Sequence, residues 1–402
     1  MLLVLLFSVL GLNTLVAQAD NFSSPFFRQI WQRADYPVAI GAAQRGFTWG
    51  PAPFFSSFEP YVESPNGQRR VEYFDKARME ITRPDFTQSS PYYVTNGLLV
   101  KEMLLGGLQV GDGTFSQRYP AYDVTVAGDP SGDNQEAVTY ASFYALSGAQ
   151  LVNRQPDRTN ERVTETIVKG GQVGRNDLLG SLEGLNDVYY ERTLGHNIPK
   201  VFWDFLNLNG QLFNGTGLYF GPVVNWVSAM GYPLTDAYWT KTAVGGVQRD
   251  VLVQLYERRV LTYTPTNPDP YKVEMGNVGR HYYAWRYDPK YDLSIPQQSN
   301  TEVRPAAGFP GVTIAIKAYG FIQNEDIATT IVTPDGKPFE GRLIPGQYEN
   351  PTGFTFFGVT VSTDANTPPG LYTLYFQGTR SGNEAKAYFF VIGIPGFNLP
   401  PQ

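Results

Sequence analysis

The stretch Arg249–Tyr263 reads RDVLVQLYERRVLTY, and Arg70–Ile81, far earlier in the chain, reads RVEYFDKARMEI. With Val71 set on Val253 the two run in step: Tyr73 meets Leu255, Phe74 meets Tyr256, Asp75 meets Glu257, Lys76 meets Arg258 and Met79 meets Leu261. A copied unit constrains architecture before local propensity does. Both stretches alternate with period two, which predicts one long strand in each, with two unlike faces. An acid recurs in the middle of an otherwise apolar face, and a base follows it on the other face. Asp75, Lys76, Glu257 and Arg258 are read as a structural acid–base element repeated in each unit, because a carboxylate in apolar surroundings must be paired. The competing reading is a catalytic or ligand-contacting carboxylate, but no second catalytic group travels with the acid.

Further landmarks give the units their extent, about 26–106 and about 195–286. Asp75 to Asn96 is 21 residues, and Glu257 to Asn277 is 20. Tyr36-Pro37-Val38 pairs with Tyr232-Pro233-Leu234, which follows Gly231. GLLVKEMLLGG, Gly97–Gly107, predicts a short helix closed by glycine, and Phe202–Leu206 predicts another. From Pro37 to Val71 is 34 residues, against 20 from Pro233 to Val253, so the first copy carries about 14 more. They fall in FTWGPAPFFSSFEPYVESPNG, Phe47–Gly67. Aromatic rings on a proline-stiffened loop can stack on flat apolar faces, sugar rings included. Trp49, Phe54, Phe55 and Tyr61, with Trp239 from the second unit, are the candidate ligand-binding residues. The alternative is that the loop is a plug over the unit's own core.

The 402 residues carry a net charge of -6, with 42% hydrophobic and 17% charged residues. That is a globular composition, long enough for two or three domains. No basic cluster faces a phosphate backbone, so nucleic acid is not an expected partner. With no cysteine, disulfides, thiolate metal sites and cysteine nucleophiles are excluded. The start, MLLVLLFSVLGLNTLVAQAD, reads as an apolar h-region followed by the small-x-small site Ala17-Gln18-Ala19. Residues 1–19 are therefore expected to be a signal peptide, although no Lys or Arg precedes the run. Retention as an anchor is the alternative; no transmembrane span is expected after cleavage. Export without cysteine fits a bacterial secreted or cell-surface protein.

Residues 20–286 are expected to form one α+β body. Between the units, Tyr122–Val126 and Val138–Tyr144 read as strands, and Gly128–Asn134 as a solvated turn whose order does not match a calcium loop. Residues 287–305 are proline-rich and read as a linker; all six tryptophans precede it. Residues 306–394 then run as short strands between turns, with Asp335-Gly336 and Ser381-Gly382-Asn383 as hairpin signals, which predicts a separate all-β sandwich and a short tail, 395–402.

Pro334-Asp335-Gly336, Pro368-Pro369-Gly370-Leu371-Tyr372 and Gly378-Thr379-Arg380-Ser381-Gly382 make the last 90 residues resemble bacterial immunoglobulin-like surface modules. The second unit resembles the LGFP-type repeats of bacterial envelope proteins. Gly231-Tyr232-Pro233-Leu234-Thr235-Asp236 looks like their Gly-x-Pro turn, Val253–Arg258 like the strand that follows, and Gly276-Asn277-Val278-Gly279 through Trp285 like their closing segment. That resemblance covers about 60 residues; the first unit shares only its strand and has Asp35-Tyr36-Pro37 instead of Gly-Tyr-Pro. The resemblance implies attachment to a cell envelope, since such repeats accompany cell-wall enzymes.

Catalytic motifs are missing. There is no Gly-x-Ser-x-Gly, Walker loop, Gly-x-Gly-x-x-Gly or HExxH. His196 and His281 are the only histidines and read as capping or packed rings. Asp75, Glu257, Asp204 and Glu63 are the carboxylates a glycoside hydrolase would draw on, none with a motif around it. No catalytic residue, metal ligand set or cofactor is assigned. Two functions are carried forward. One is a non-catalytic secreted or cell-surface protein that binds an envelope polymer (peptidoglycan or polysaccharide) or another surface protein. The other is a glycan-degrading hydrolase using paired carboxylates.

Overall fold

The computed structural model describes residues 21–392 apart from 91, 119–120, 122, 130–133, 135, 148–152, 170, 289–290, 292–300, 320–325, 340–341, 350–354 and 380–383. The expected signal peptide, the tail and most of the expected linker lie outside the described residues. The fold is α+β and strand-rich, built from several small sheets.

Helix α1 (Pro25–Ala39) opens the described chain, with Ser24 as N-cap accepting from the Phe26 N–H at 3.3 Å and Pro25 in the first turn. The first sheet follows as β1 (Phe55–Pro60), β2 (Gln68–Tyr73), β3 (Arg78–Ile81) and β4 (Thr95–Asn96), antiparallel and in chain order. Helix α2 (Leu99–Leu105) comes next and ends at Gly106, whose φ of 70° suits a residue without Cβ. Then come β5 (Gly107–Gln109), β6 (Phe115–Gln117), α3 (Tyr144–Ser147), β7 (Glu165–Ile167), β8 (Val173–Arg175), α4 (Asp177–Gly180), β9 (Asp187–Glu191), β10 (His196–Pro199), α5 (Lys200–Leu206), β11 (Asn209–Phe213), β12 (Leu218–Pro222) and α6 (Trp226–Met230). The second meander is β13 (Tyr238–Val244), β14 (Val247–Leu255), β15 (Val260–Tyr263) and β16 (Val273–Met275), antiparallel in chain order and followed by α7 (Val278–Tyr287). It belongs to a six-stranded sheet, because β7 adds parallel to β13 and β8 pairs with β7. One buried core holds Val71 and Tyr73 of the first sheet, Leu99 and Met103 of α2, Val253 and Leu255 of the second sheet, and Tyr282 and Trp285 of α7.

The long strands expected over Val71–Ile81 and Val253–Tyr263 are each two strands folded at a tight turn. The Phe74 N–H donates to the Ala77 carbonyl, and the Tyr256 N–H to the Arg259 carbonyl, both at 2.9 Å. Neither turn contains Gly, Pro or Asn, so nothing punctuated the period-two pattern. The acid–base step, Asp75-Lys76 and Glu257-Arg258, is the centre of the turn rather than the middle of an apolar face.

The matched proline turns also differ. Tyr36-Pro37-Val38 lies inside α1. Gly50 and Gly231 each lie against the acid of a hairpin tip. A Cβ on Gly50 would lie 3.2 Å from the Asp75 Cβ, and one on Gly231 would lie 2.7 Å from the Glu257 Cβ. The Phe54 N–H reaches the Tyr73 carbonyl at 2.9 Å, as the Leu234 N–H reaches the Leu255 carbonyl at 2.8 Å. Counted from these glycines, Gly50 to Val71 is 21 residues and Gly231 to Val253 is 22, so Phe47–Gly67 is no insertion. It holds this turn and β1.

Each hairpin tip meets the other half of the body. Asp75 pairs with Arg280 at 2.7 Å, its carbonyl accepts from the Gly279 N–H at 3.0 Å, and Lys76 donates to the Asn277 side chain at 2.7 Å. In return the Glu257 carbonyl accepts from the Lys101 N–H at 3.1 Å, its carboxylate faces the Lys101 ammonium at 3.9 Å, and Arg258 donates to the Asn96 carbonyl.

Val138–Tyr144 is not a strand. Thr125 and Thr139 form an isolated bridge, and a single helical turn over Tyr140–Phe143 runs into α3. The Ser142 hydroxyl accepts from the Thr139 N–H at 3.0 Å and so caps that turn.

Beyond α7, two four-stranded sheets share a core. One runs β17 (Thr301–Arg304), β19 (Thr313–Tyr319), β22 (Thr355–Ser362), β21 (Arg342–Glu349); the other runs β18 (Ala307–Gly308), β24 (Glu384–Val391), β23 (Gly370–Gly378), β20 (Ile327–Val332). Ile314, Ile316, Val359 and Val361 pack against Tyr372, Leu374, Phe389 and Val391. Thr301–Arg304, expected within the linker, is a strand of the first of these sheets.

Candidate functional site

All five rings singled out from the sequence have their faces or edges engaged by other side chains of the body. Trp49, Tyr61 and Trp239 are 5%, 5% and 0% exposed, which leaves no face for a ligand. The Arg259 guanidinium stacks on Trp49 at 4.5 Å, Arg69 on Tyr61 at 4.7 Å, and Tyr263 meets Trp239 edge-on at 6.1 Å. The cause at Trp49 is Asp35, fully buried, whose carboxylate accepts from the Thr48, Trp49 and Gly50 N–H groups at 2.7, 2.6 and 3.1 Å. Phe54 and Phe55 are half-buried on Tyr283, at 5.4 and 4.9 Å between ring centroids. The aromatic segment therefore acts mainly as a plug. Its exposed ring is Phe58.

The hydrolytic carboxylates do not gather. Asp75 is paired to Arg280 and Glu257 accepts from the Tyr232 N–H. Asp204 pairs with Lys200 on the surface, and Glu63 accepts from the Asp112 N–H. No two of the four share a partner.

Two buried charge clusters draw on other residues. In the first, Arg78 bridges Glu59 at 3.0 Å and Glu80 at 2.5 Å, Arg69 adds to Glu80 at 3.1 Å and Arg286 to Glu59 at 3.1 Å. Burial pushes the Glu59 carboxyl up, but Arg78, Arg286 and Arg69 outweigh it and hold it down to about 2. A carboxylate pinned in this way is a cross-link, not a proton donor. In the second, His196 sits 1% exposed with Nδ1 3.2 Å from Asp236, which also takes the Asn197 N–H at 2.8 Å and an Arg158 contact. Burial, then the neighbouring Asp236, pushes the Asp187 carboxyl up to about 8. The other His196 nitrogen, Nε2, meets no hydrogen-bond partner among the described residues, so none of their hydroxyls completes a triad there. Among the described residues no cluster of three metal-ligating side chains occurs, and no helix is long and apolar enough to cross a membrane.

An open concave surface with a different lining lies elsewhere. Helix α1 and the β11–β12 hairpin form the walls of a groove of about 600 Å³. Arg33 fixes the two walls together by donating to the Val223 and Pro222 carbonyls at 3.0 and 2.8 Å. Tyr36 packs on Phe213 at 4.8 Å across the same joint. Phe26 and Tyr93, edge-to-face at 4.7 Å, close one end. The rings of Phe26, Phe213 and Tyr219 and the amides of Gln29, Gln88 and Asn214 line the groove. The lining contains no Asp, Glu, His or Lys. Rings and neutral amides in a preformed groove can stack on, and hydrogen-bond to, a neutral polyhydroxylated ligand.

Sequence reasoning passed over these residues. Phe26 and Tyr93 stand near no motif. The hairpin did carry a signal: Asn214-Gly215-Thr216-Gly217 between QLF and LYF is strong turn chemistry between apolar runs. The Asn214 side chain accepts from the Thr216 and Gly217 N–H groups at 3.0 and 2.9 Å, as such a turn requires. No protein-family model matches the chain, and no curated protein matches it.

Proposed function

We propose that this chain is a non-catalytic secreted or cell-surface protein that holds a neutral glycan strand of a cell envelope in the groove between α1 and the β11–β12 hairpin. The observation that supports this reading most is the lining, which joins aromatic rings to neutral amides and contains no Asp, Glu, His or Lys. Arg33 and the Tyr36–Phe213 contact hold the walls in place before binding, which lowers the ordering cost. On this reading the two meanders with their following helices are related units, duplicated to build the body. The pair of C-terminal sheets is an immunoglobulin-like spacer. The resemblance of the second unit to LGFP-type repeats points to the same envelope setting.

The test is retention of the purified chain on insoluble polysaccharide and on peptidoglycan, with analysis for released sugars. Wild-type protein is expected to be retained without release. Tyr219→Ala and Gln29→Ala are expected to lose about tenfold in retention while melting as wild type, because both side chains are at the surface. Retention unchanged in both variants would move the surface elsewhere. Steady release of reducing sugar would overturn the non-catalytic reading.

A further inference from the structure

We propose that the α1 groove continues past Phe26 and Tyr93 over the face of the first sheet, where Arg70 takes a carboxylate carried by a further sugar of the same strand. The ligand class is thereby narrowed to glycans in which neutral sugars adjoin sugars that bear a carboxylate. The inference rests on the reading of the groove as a glycan site and adds the chemistry of one more position.

Three side chains form a row across the sheet. Phe58 of β1 pairs with Arg70 of β2, and Arg70 pairs with Ile81 of β3. Residues opposite each other in antiparallel strands share a face, and Gln68, two residues before Arg70, shares it too. The row lines a second cleft of about 520 Å³. Phe26 and Tyr93 line this cleft and the α1 groove alike. They make a low sill between the two, since Tyr93 is 8% exposed and Phe26 is half-buried. The two volumes, about 600 and 520 Å³, together pass the roughly 1,000 Å³ upper end of a single small-molecule site, which suits several units of a chain.

Each lining holds one charged side chain, Arg33 in the groove and Arg70 in the cleft. Arg33 spends both terminal nitrogens on the Val223 and Pro222 carbonyls. Arg70 spends one: Nη1 donates to the Ser23 carbonyl at 2.6 Å, and the guanidinium lies 5.0 Å over the Phe58 ring. Its Nε and Nη2 make no hydrogen bond to a described residue, and neither is sealed from solvent. Glu72 feels the Arg70 charge, but it is fully buried and takes the Ser23 N–H at 2.6 Å instead. Arg70 is thus held in place with one edge of its fork open, the edge that matches a carboxylate with two parallel N–H···O bonds. Phe58, 55% exposed, offers apolar surface to the sugar that bears the carboxylate. The net charge of -6 works against a dense polyanion. A strand with neutral sugars in the groove and a carboxylate over the sheet satisfies both linings.

The experiment uses the full chain and calorimetric titration with hexasaccharides. One is the neutral N-acetylglucosamine hexamer. Two are acidic: hyaluronan, in which glucuronate alternates with N-acetylglucosamine, and a peptide-free peptidoglycan strand with free lactyl carboxylates. Each acidic sugar is compared with its carboxyl-reduced form. At least one is expected to bind about tenfold more tightly than its reduced form, the scale of one charge-assisted contact, and which one separates a uronate from a lactyl group. In Arg70→Gln that preference should fall to about one, and Arg70→Lys should keep only part of it. Tyr219→Ala should weaken acidic and reduced forms alike. Equal binding of acidic and reduced forms, with Tyr219→Ala weakening both, overturns this inference and leaves the groove reading standing. A full preference retained in Arg70→Gln places the carboxylate elsewhere and also overturns it. Should Arg70→Gln melt early, Arg70→Lys decides, and a wild-type preference there rules out the fork. Failure of every hexasaccharide to bind overturns both readings.

Discussion

Gly279, in the first turn of α7, faces the carbonyl oxygen of Phe74 so closely that a Cβ built there would lie 1.8 Å from it, and 2.8 Å from the Ala77 carbonyl. Helix and hairpin turn touch backbone to backbone. Neither atom belongs to a flexible side chain, so the contact can be relieved only by moving an element. Gly279→Ala is therefore expected to cost about 3 kcal/mol, at the upper end for overpacking, although alanine is the better helix former. Thermal melting checks this. A variant that melts at or above wild type would mean the helix can shift freely on the turn.

The two tips are held reciprocally, yet the acids are not deeply buried. The Glu257 side chain is 18% exposed, accepts from the Tyr232 N–H at 3.1 Å and faces the Lys101 ammonium only at 3.9 Å. Glu257→Ala is expected to cost about 1–2 kcal/mol, the scale of one hydrogen bond plus a partly screened ion pair. Glu257→Gln keeps the acceptor and should cost about half as much. Denaturant titration separates the two. Equal losses would show that the charge, not the acceptor, holds the tip.

These elements divide what the sequence made legible from what it hid. The landmarks Asp75, Glu257, Asn96 and Asn277 were legible in the sequence, and they meet at two contacts, Lys76 on the Asn277 side chain and Arg258 on the Asn96 carbonyl. The fold at the tip was hidden, since Phe-Asp-Lys-Ala and Tyr-Glu-Arg-Arg contain no Gly, Pro or Asn and Asp75 is the one turn-forming residue in either. The like placement of Gly50 and Gly231, each against a tip acid, was hidden by the more conspicuous Tyr-Pro at Tyr36. Burial of Trp49 was hidden because it depends on Asp35, a carboxylate 14 residues away whose acceptors were spent on backbone N–H groups. The groove draws on helix, loop and hairpin at distant positions, which no local pattern joins.

Asp187 offers a pH test with a definite sign. Burial, then Asp236, raises its carboxyl to about 8, well above an unfolded value near 4. A group raised in the folded state contributes most stability below its unfolded value and loses it as pH rises toward the folded value. Wild-type stability should therefore fall between about pH 4 and pH 8 through this residue. Asp187→Asn removes the titration and keeps the shape. Its melting temperature should exceed wild type by a few degrees at pH 8, with the gap shrinking toward pH 4. A gap that is constant across this range, or reversed, would assign the ionised form to the folded state at neutral pH.

Arg78 gives the sharpest contrast between a buried and a surface ion pair. It is 0% exposed and binds Glu59 at 3.0 Å and Glu80 at 2.5 Å, both carboxylates nearly without solvent. Arg78→Met leaves these acids facing each other with Arg69 and Arg286 as remaining cations, and should cost about 3–5 kcal/mol at pH 7. Arg78→Lys keeps the charge but not the fork, and should fall between. The pH dependence follows from Glu59, which the arginines hold at about 2. A depressed carboxylate contributes stability above its unfolded value, near 4.5, and loses it as pH falls through its folded one. Removing Arg78 removes much of that contribution, so the two urea curves should be farthest apart near pH 7 and converge toward pH 3. Asp204→Asn, which breaks the surface pair with Lys200, should leave the curve where it is. If Arg78→Met matched wild type at pH 7, the cluster would be neutral bulk and its charges of no consequence for the fold.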